Sequence, residues 1–265
     1  MTDQSGSWIW YELMTTDVAA AKAFYDAVVG WDIGMHSVSP GQDYRMIGRS
    51  DGGNAGGVLG LTPAMCEGGA SPAWLGYLHV ADVDAAMAAI EADGGTVQMP
   101  ATDMPGVGRI AMVADPQGAP FYLMTPAPPP GMEDTKSDVF SVDQPQRVRW
   151  NELSTSDPVA AIAFYVGHFG WVQQGEMDMG ALGKYQFLQH DGVGIGAVMP
   201  LMPGSPGTRW TFYFGVDNID RAHRALTAGG GTVIQGPDQI PGGEYSITAV
   251  DPQGAGFGLV GPRNA

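Results

Sequence analysis

The chain has 265 residues, 44% of them hydrophobic and 15% charged, which suits one large or two small globular domains and excludes a disordered chain. Twelve Lys and Arg against 28 Asp and Glu give a net charge of −16, which repels polyanions and anionic lipid and argues against nucleic acid or a membrane surface as partner. A single cysteine, Cys66, excludes an intrachain disulfide and a thiolate zinc cluster.

The opening stretch MTDQSGSWIW carries no basic region and no long apolar run, so a cytoplasmic location is expected. A strand-like run follows at 8–13, then a helix. Asp17 can cap it, Ala21, Phe24, Tyr25 and Val28 form one apolar stripe, and Gly30 stops it. Further strand-like runs fall at 31–36, 44–49 and 57–61; the glycines in GGNAGGVLG feed a close-packed strand, since no Lys or strand–loop–helix context supports a nucleotide loop. After a strand at 74–80, a second helix begins near Asp84, with Val83, Ala86, Met87 and Ile90 on one face, and ends at Gly94-Gly95. Strands at 96–99, 109–114 and 121–125 complete the set. Between the last two stands DPQGA, with Pro and Gly placed for a tight hairpin turn.

The chain then repeats itself. WYELMTTDVAAAKAFYDAVVGW from Trp10 returns as WNELSTSDPVAAIAFYVGHFGW from Trp150, a shift of 140, and Gly170 ends the second helix as Gly30 ends the first. WLGYLHVADVDAAMAAIEADGGTV from Trp74 returns from Trp210, a shift of 136, and DPQGA keeps that shift at Asp251. Residues 126–146, rich in Pro and acidic side chains, read as a linker between domains at 5–125 and 147–262.

These motifs resemble the vicinal oxygen chelate superfamily, the glyoxalase, bleomycin-resistance and dioxygenase group, and most of all its tandem-domain secreted-antigen and hydroxylase branch. The resemblance implies an α+β fold: two tandem domains, each of paired βαβββ modules that curl a sheet into a cup with helices outside. Strand alternation then assigns faces. Trp74, Leu78 and Leu13 look toward helices, while Trp10, Glu12, Leu75, Tyr77, His79 and Tyr122 line the first cup. Trp150, Glu152, Thr211 and Tyr213 line the second.

Metal-dependent members of the superfamily hold a divalent ion through His, Glu or Gln at four positions. Carried onto this chain, those positions fall on Trp10, Gly60, Leu75 and Tyr122 in the first copy, and on Trp150, Met199, Thr211 and Gly258 in the second. None is a usual ligand, so no metal and no other cofactor is expected. His36, His168 and His190 stand near element ends and are expected to be solvated; His223 belongs to a helix face. Glu12 and His79 are the candidate catalytic residues, as a proton-handling pair in the first cup. The carboxylates of Glu12 and Glu152 can equally anchor backbone or the hydroxyls of Tyr77 and Tyr213.

Three functions are therefore open. One is a metal-free cup that binds a small hydrophobic or aromatic metabolite, for sequestration, resistance or an accessory role. Another is a glyoxalase I-like lyase or extradiol-type dioxygenase with a divalent metal. The last is a metal-independent acid–base enzyme or hydroxylase partner using Glu12. The expected partner is a small molecule, and the expected state a monomer whose domains pair by pseudo-twofold symmetry, or a homodimer.

Overall fold

A computed structural model describes residues 4–128 and 135–263. The first copy runs β1 (Trp8–Thr15), α1 (Val18–Val29), β2 (Asp32–Ile33), β3 (Tyr44–Gly48), β4 (Asn54–Gly60), α2 (Pro63–Glu67), β5 (Ala73–His79), α3 (Val83–Ala92), β6 (Thr96–Met104), β7 (Gly108–Ala114) and β8 (Pro120–Pro126). The second runs β9 (Val148–Thr155), α4 (Pro158–Phe169), β10 (Val172–Asp178), a 3₁₀ turn (Gly180–Leu182), β11 (Lys184–His190), β12 (Val193–Pro200), β13 (Arg209–Gly215), α5 (Ile219–Ala228), β14 (Thr232–Gln239), β15 (Tyr245–Val250) and β16 (Gly256–Gly261). The strands form two eight-stranded sheets, one per sequence copy, ordered β2-β3-β4-β1-β5-β8-β7-β6 and β10-β11-β12-β9-β13-β16-β15-β14. The fold is α+β and built from tandem βαβββ modules, as the repeat implies.

The helix signals act where the sequence puts them. Asp17 accepts a hydrogen bond from the Ala20 amide at 2.9 Å, Asp157 from the Ala160 amide at 3.0 Å, and both helices end on left-handed glycines, Gly30 at φ 86° and Gly170 at φ 65°. Several elements differ from expectation: the strand expected over 31–36 is reduced to Asp32–Ile33, and β4 starts at Asn54 instead of Gly57. β6 runs on to Met104 instead of stopping near Met99, because register shifts between Val97 and Met99 and between Met99 and Thr102 carry Pro100 within the strand. The short α2, unexpected from periodicity, starts at Pro63 under a Thr62 cap. In the Gly-rich stretch, a Cβ on Gly56 would lie 2.1 Å from the Tyr11 carbonyl oxygen, and on its counterpart Gly196 1.9 Å from that of Asn151. The strands approach too closely there for any side chain.

Contacts group the chain into two compact units that cut across the sequence copies. One unit holds Trp10–Leu75, Asp138–Arg149 and Thr211–Ala265; the other holds Met1–Ile9, Gly76–Ser137 and Trp150–Trp210. Each therefore combines a first module from one copy with a second module from the other.

In the unit containing α1 and α5, the core is aromatic: Trp31 and Trp74 pack on Phe214 at 4.8 and 4.6 Å, and Tyr25 on Phe257 at 5.4 Å. In the unit containing α3 and α4, Tyr165 stacks on Trp171 at 5.2 Å and Trp8 meets Trp210 at 5.2 Å. The Phe and Tyr of the FY words in α1 and α4 and the Trp of each GW word are thus core residues.

The Asp-Pro-Gln-Gly word also does more than turn the chain. Asp251 accepts from the amides of Gln253, Gly254 and Ala255, and its other oxygen accepts from Tyr25 Oη at 3.0 Å. Tyr25 in turn accepts from Trp74 Nε1 at 2.8 Å. The other unit repeats the relay: Trp210 donates to Tyr165 at 3.0 Å, and Tyr165 to Asp115 at 3.1 Å, while Asp115 caps Gln117 and Ala119. Burial raises both carboxyls above the ordinary carboxylate value, against the lowering effect of these hydrogen bonds, and holds both tyrosines well above theirs.

The stretch expected as a linker, 126–146, falls partly outside the described residues. Its described end is strapped down. Gln146, at φ 61°, accepts from the Ser50 amide at 2.8 Å through its side chain, donates to the Gly30 carbonyl, and takes the Trp31 indole N–H on its backbone oxygen at 2.9 Å. Nearby, the buried Arg49 guanidinium pairs with Asp51 and Asp138.

Candidate functional site

Alternation along β9 buries Asn151 and Leu153 and leaves Trp150 and Glu152 half-buried on the opposite face. Glu152 is the register partner of Ala197 on β12, and Ala197 of Phe187 on β11, so the three side chains form one row across the strands. Tyr185, two residues before Phe187, reaches back over that row. Its hydroxyl donates to Glu152 Oε2 at 2.7 Å and accepts from Trp150 Nε1 at 2.6 Å. Phe187 closes the group, edge-on to Trp150 at 6.2 Å and to Tyr185 at 5.8 Å. The result is a half-buried aromatic face around one carboxylate.

The matching strands of the other unit repeat the arrangement in part. Trp10 Nε1 donates to Tyr44 Oη at 2.9 Å, and Glu12, buried to 3% exposure, pairs in register with Gly57. A Cβ on Gly57 would fall 2.1 Å from the Tyr44 hydroxyl oxygen, so the Tyr44 ring lies directly over that glycine. Tyr44 and Tyr185 escaped the sequence reading. They are 141 residues apart, a spacing that matches neither repeat shift because the loops before them differ.

The other expected lining residues sort by unit. Tyr77 on β5 and Tyr122 on β8 are register partners whose rings stack at 4.2 Å and 13°. Their counterparts on β13 and β16 are Tyr213 and Gly258, also partners; here the Tyr213 ring folds onto the glycine, where a Cβ would meet it at 2.3 Å. Leu75 and Thr211 are buried, at 2% and 5% exposure. His79 ends β5 half-buried, its backbone bonded to Gly6 and Ser7. Its counterpart is Gly215 for a steric reason: a Cβ there would lie 2.6 Å from Arg149 Cδ and 2.8 Å from the Gln144 oxygen. The strap of residues 138–149 takes the space a second histidine would need.

His168 differs from expectation. Its side chain is only 13% exposed, and Nε2 lies 3.0 Å from Asp93 Oδ2. It is held against the end of α3 instead of standing in solvent.

The residues do not fit a divalent ion of the kind the superfamily uses. Where ligands would stand are indoles engaged with tyrosines, a tyrosine stacked on a tyrosine, and a glycine covered by a ring. Among the described residues, no group of three or more His, Cys, Asp or Glu converges to hold an ion.

Tandem βαβββ modules in two eight-stranded sheets define a recognisable class. The chain belongs to the Glyoxalase/Bleomycin resistance protein/Dioxygenase superfamily, whose family model matches residues 9–123 and again 147–259. It is 33% identical over 96% of its length to "Putative glyoxylase CFP32" of Mycobacterium tuberculosis, covering 94% of that protein. It is 30% identical over 98% of its length to "Anthracycline biosynthesis protein DauV" of a Streptomyces species, again covering 94%. Among solved structures, the Mn(II)-bound glyoxalase of Novosphingobium aromaticivorans is similar with a TM-score of 0.61 at 16% identity, over 98% of this chain and 83% of that one. At that identity the likeness is one of fold. No helix among the described residues is long and apolar enough to cross a membrane.

Proposed function

We propose that this protein is a metal-independent, cytoplasmic binder of a small hydrophobic or aromatic metabolite, which it sequesters or holds for another enzyme. One observation carries the reading. Of its seven tryptophans, Trp8, Trp31, Trp74, Trp171 and Trp210 are buried in aromatic cores, whereas Trp10 and Trp150 are half-buried at equivalent places on β1 and β9. Each of these two is fixed by a hydrogen bond to a tyrosine, so its ring is oriented before any ligand arrives. A flat apolar molecule gains area burial and ring–ring contact there without paying to order the indole.

The donor set supports metal independence, because rings stand where imidazoles and carboxylates would be needed. The name of the Streptomyces relative, an anthracycline biosynthesis protein, supports a polycyclic aromatic ligand class. The mycobacterial relative's name points instead to a glyoxylase, and the two readings separate in one experiment. Melting is followed across a library of one- to four-ring aromatics, with protein prepared in chelator. Saturable upward shifts support binding; no shift from any compound, together with metal-dependent lyase activity, sinks it.

A further inference from the structure

The two half-buried indoles stand on faces that one methyl group sets apart. Across β1, β4 and β3 the register row is Glu12, Gly57 and Met46; across β9, β12 and β11 it is Glu152, Ala197 and Phe187. In the first row the middle residue has no side chain. The Tyr44 hydroxyl oxygen lies in the space one would take, 2.1 Å from the place of a Cβ. In the second row the Ala197 methyl fills that space, so Tyr185 cannot settle onto the sheet to the depth Tyr44 does.

Exposure differs in the same sense. Glu12, in register with Gly57, is buried to 3% exposure, whereas Glu152, in register with Ala197, is half-buried. The third member of each row adds to the contrast. Phe187 stands edge-on to Trp150 at 6.2 Å, where the first face has the flexible chain of Met46. A flat ligand packs against rigid rings at a lower ordering cost than against a thioether chain. The compact unit that holds Trp10 also contains a second ring laid on a glycine, Tyr213 over Gly258. The unit that holds Trp150 has Tyr122 at the equivalent position, upright against Tyr77 in a 4.2 Å stack.

We propose that the protein takes up a single ligand, on the β9–β12 face at Trp150. Gly57 closes the Trp10 face by letting Tyr44 lie down on the sheet, and Ala197 keeps the Trp150 face open by holding Tyr185 off it. This rests on the ligand-binding reading above and narrows it to one of the two indoles.

The test is calorimetric titration of 2-naphthylmethanol into the full chain and two reciprocal variants, with indole emission followed alongside. The unaltered chain is expected to bind a single ligand. Ala197→Gly lets Tyr185 sink and should weaken binding about tenfold or more. Gly57→Ala lifts Tyr44 and should add a second ligand per chain. Trp150→Phe should remove most of the ligand-induced change in emission, a readout that stands whether or not the other two variants fold. Two equivalent ligands on the unaltered chain, or an emission change that persists in folded Trp150→Phe, overturns the assignment to this face. A folded Gly57→Ala chain that still takes one ligand, with a folded Ala197→Gly chain that binds as tightly as the unaltered one, overturns the roles of Gly57 and Ala197. Absence of binding to every form overturns the ligand-binding reading itself and this assignment with it.

Discussion

Tyr25 donates its hydroxyl to Asp251 at 3.0 Å across 226 residues of sequence. A helix near the start of the chain is thereby tied to a turn near its end, and Tyr165 ties to Asp115 in the same way. Two words of the repeat, the FY of α1 and α4 and the DPQG turn, are the two ends of one hydrogen bond. They recur because each compact unit needs both, one from each copy.

Removing that bond tests its structural role. Tyr25→Phe leaves the Trp74 N–H and one Asp251 oxygen unsatisfied in a buried site, which costs about 1–3 kcal/mol. For a chain of this size the melting temperature should fall by roughly 2–4 °C per kcal/mol. Asp251→Ala should cost more, since it also uncaps three turn amides. A double-mutant cycle between Tyr25→Phe and Asp251→Asn should show coupling, and strict additivity would contradict the relay.

The same aspartates set a pH response with an uncommon sign. Burial raises Asp115 and Asp251 above their ordinary value of 3.8 despite the opposing hydrogen bonds. A folded state that holds a proton more tightly than the unfolded chain is favoured in acid. Their contribution is fully present below the unfolded value of 3.8 and is lost as pH rises through the raised folded value. Urea melts of the wild type and of Asp115→Asn/Asp251→Asn should therefore show the wild type's relative stability falling as pH rises through that window. A difference that is flat, or grows with pH, would contradict the assignment.

Solvent access to the indoles can be read directly. Acrylamide should quench a fraction of the tryptophan emission in the native chain, and Trp10→Phe/Trp150→Phe should remove most of it, because the other five indoles are buried. Persistent quenching in that variant would mean the two half-buried rings are not those a ligand meets.

Gly215 supplies a steric test of the strap. Gly215→Ala places a Cβ against Arg149 and the Gln144 carbonyl, and should destabilise by about 1–3 kcal/mol. His79→Ala, at the counterpart position on a half-buried strand end, should change melting far less. Equal losses from the two variants would show that packing there is looser than the distances imply.

Much of the fold was legible because its signals are local. Asp17, Asp157, Gly30 and Gly170 cap helices through neighbours a few residues away, and the repeat makes each such reading twice. The Asp-Pro-Gln-Gly turn was legible as a turn, but its tyrosine partner was not, since nothing in a hairpin motif points 226 residues away. The geometry of the candidate site was half legible. Alternation placed Trp10, Trp150, Glu12 and Glu152 on one face of their strands, yet Tyr44 and Tyr185, which orient the two indoles, follow loops of unequal length and fell out of register with the repeat. His168 went astray for a related reason: its position at a helix end suggested solvent, and the Asp93 that holds it lies at the end of another helix.

The most direct measurement is calorimetric titration of a polycyclic aromatic into protein dialysed against EDTA, repeated after adding back Mn(II), Fe(II), Ni(II) or Zn(II) in turn. The account predicts saturable binding in the chelated protein, an affinity the ions leave unchanged, and its loss in Trp10→Phe/Trp150→Phe. Binding that appears only with a stoichiometric ion, and survives the loss of both indoles, would contradict it.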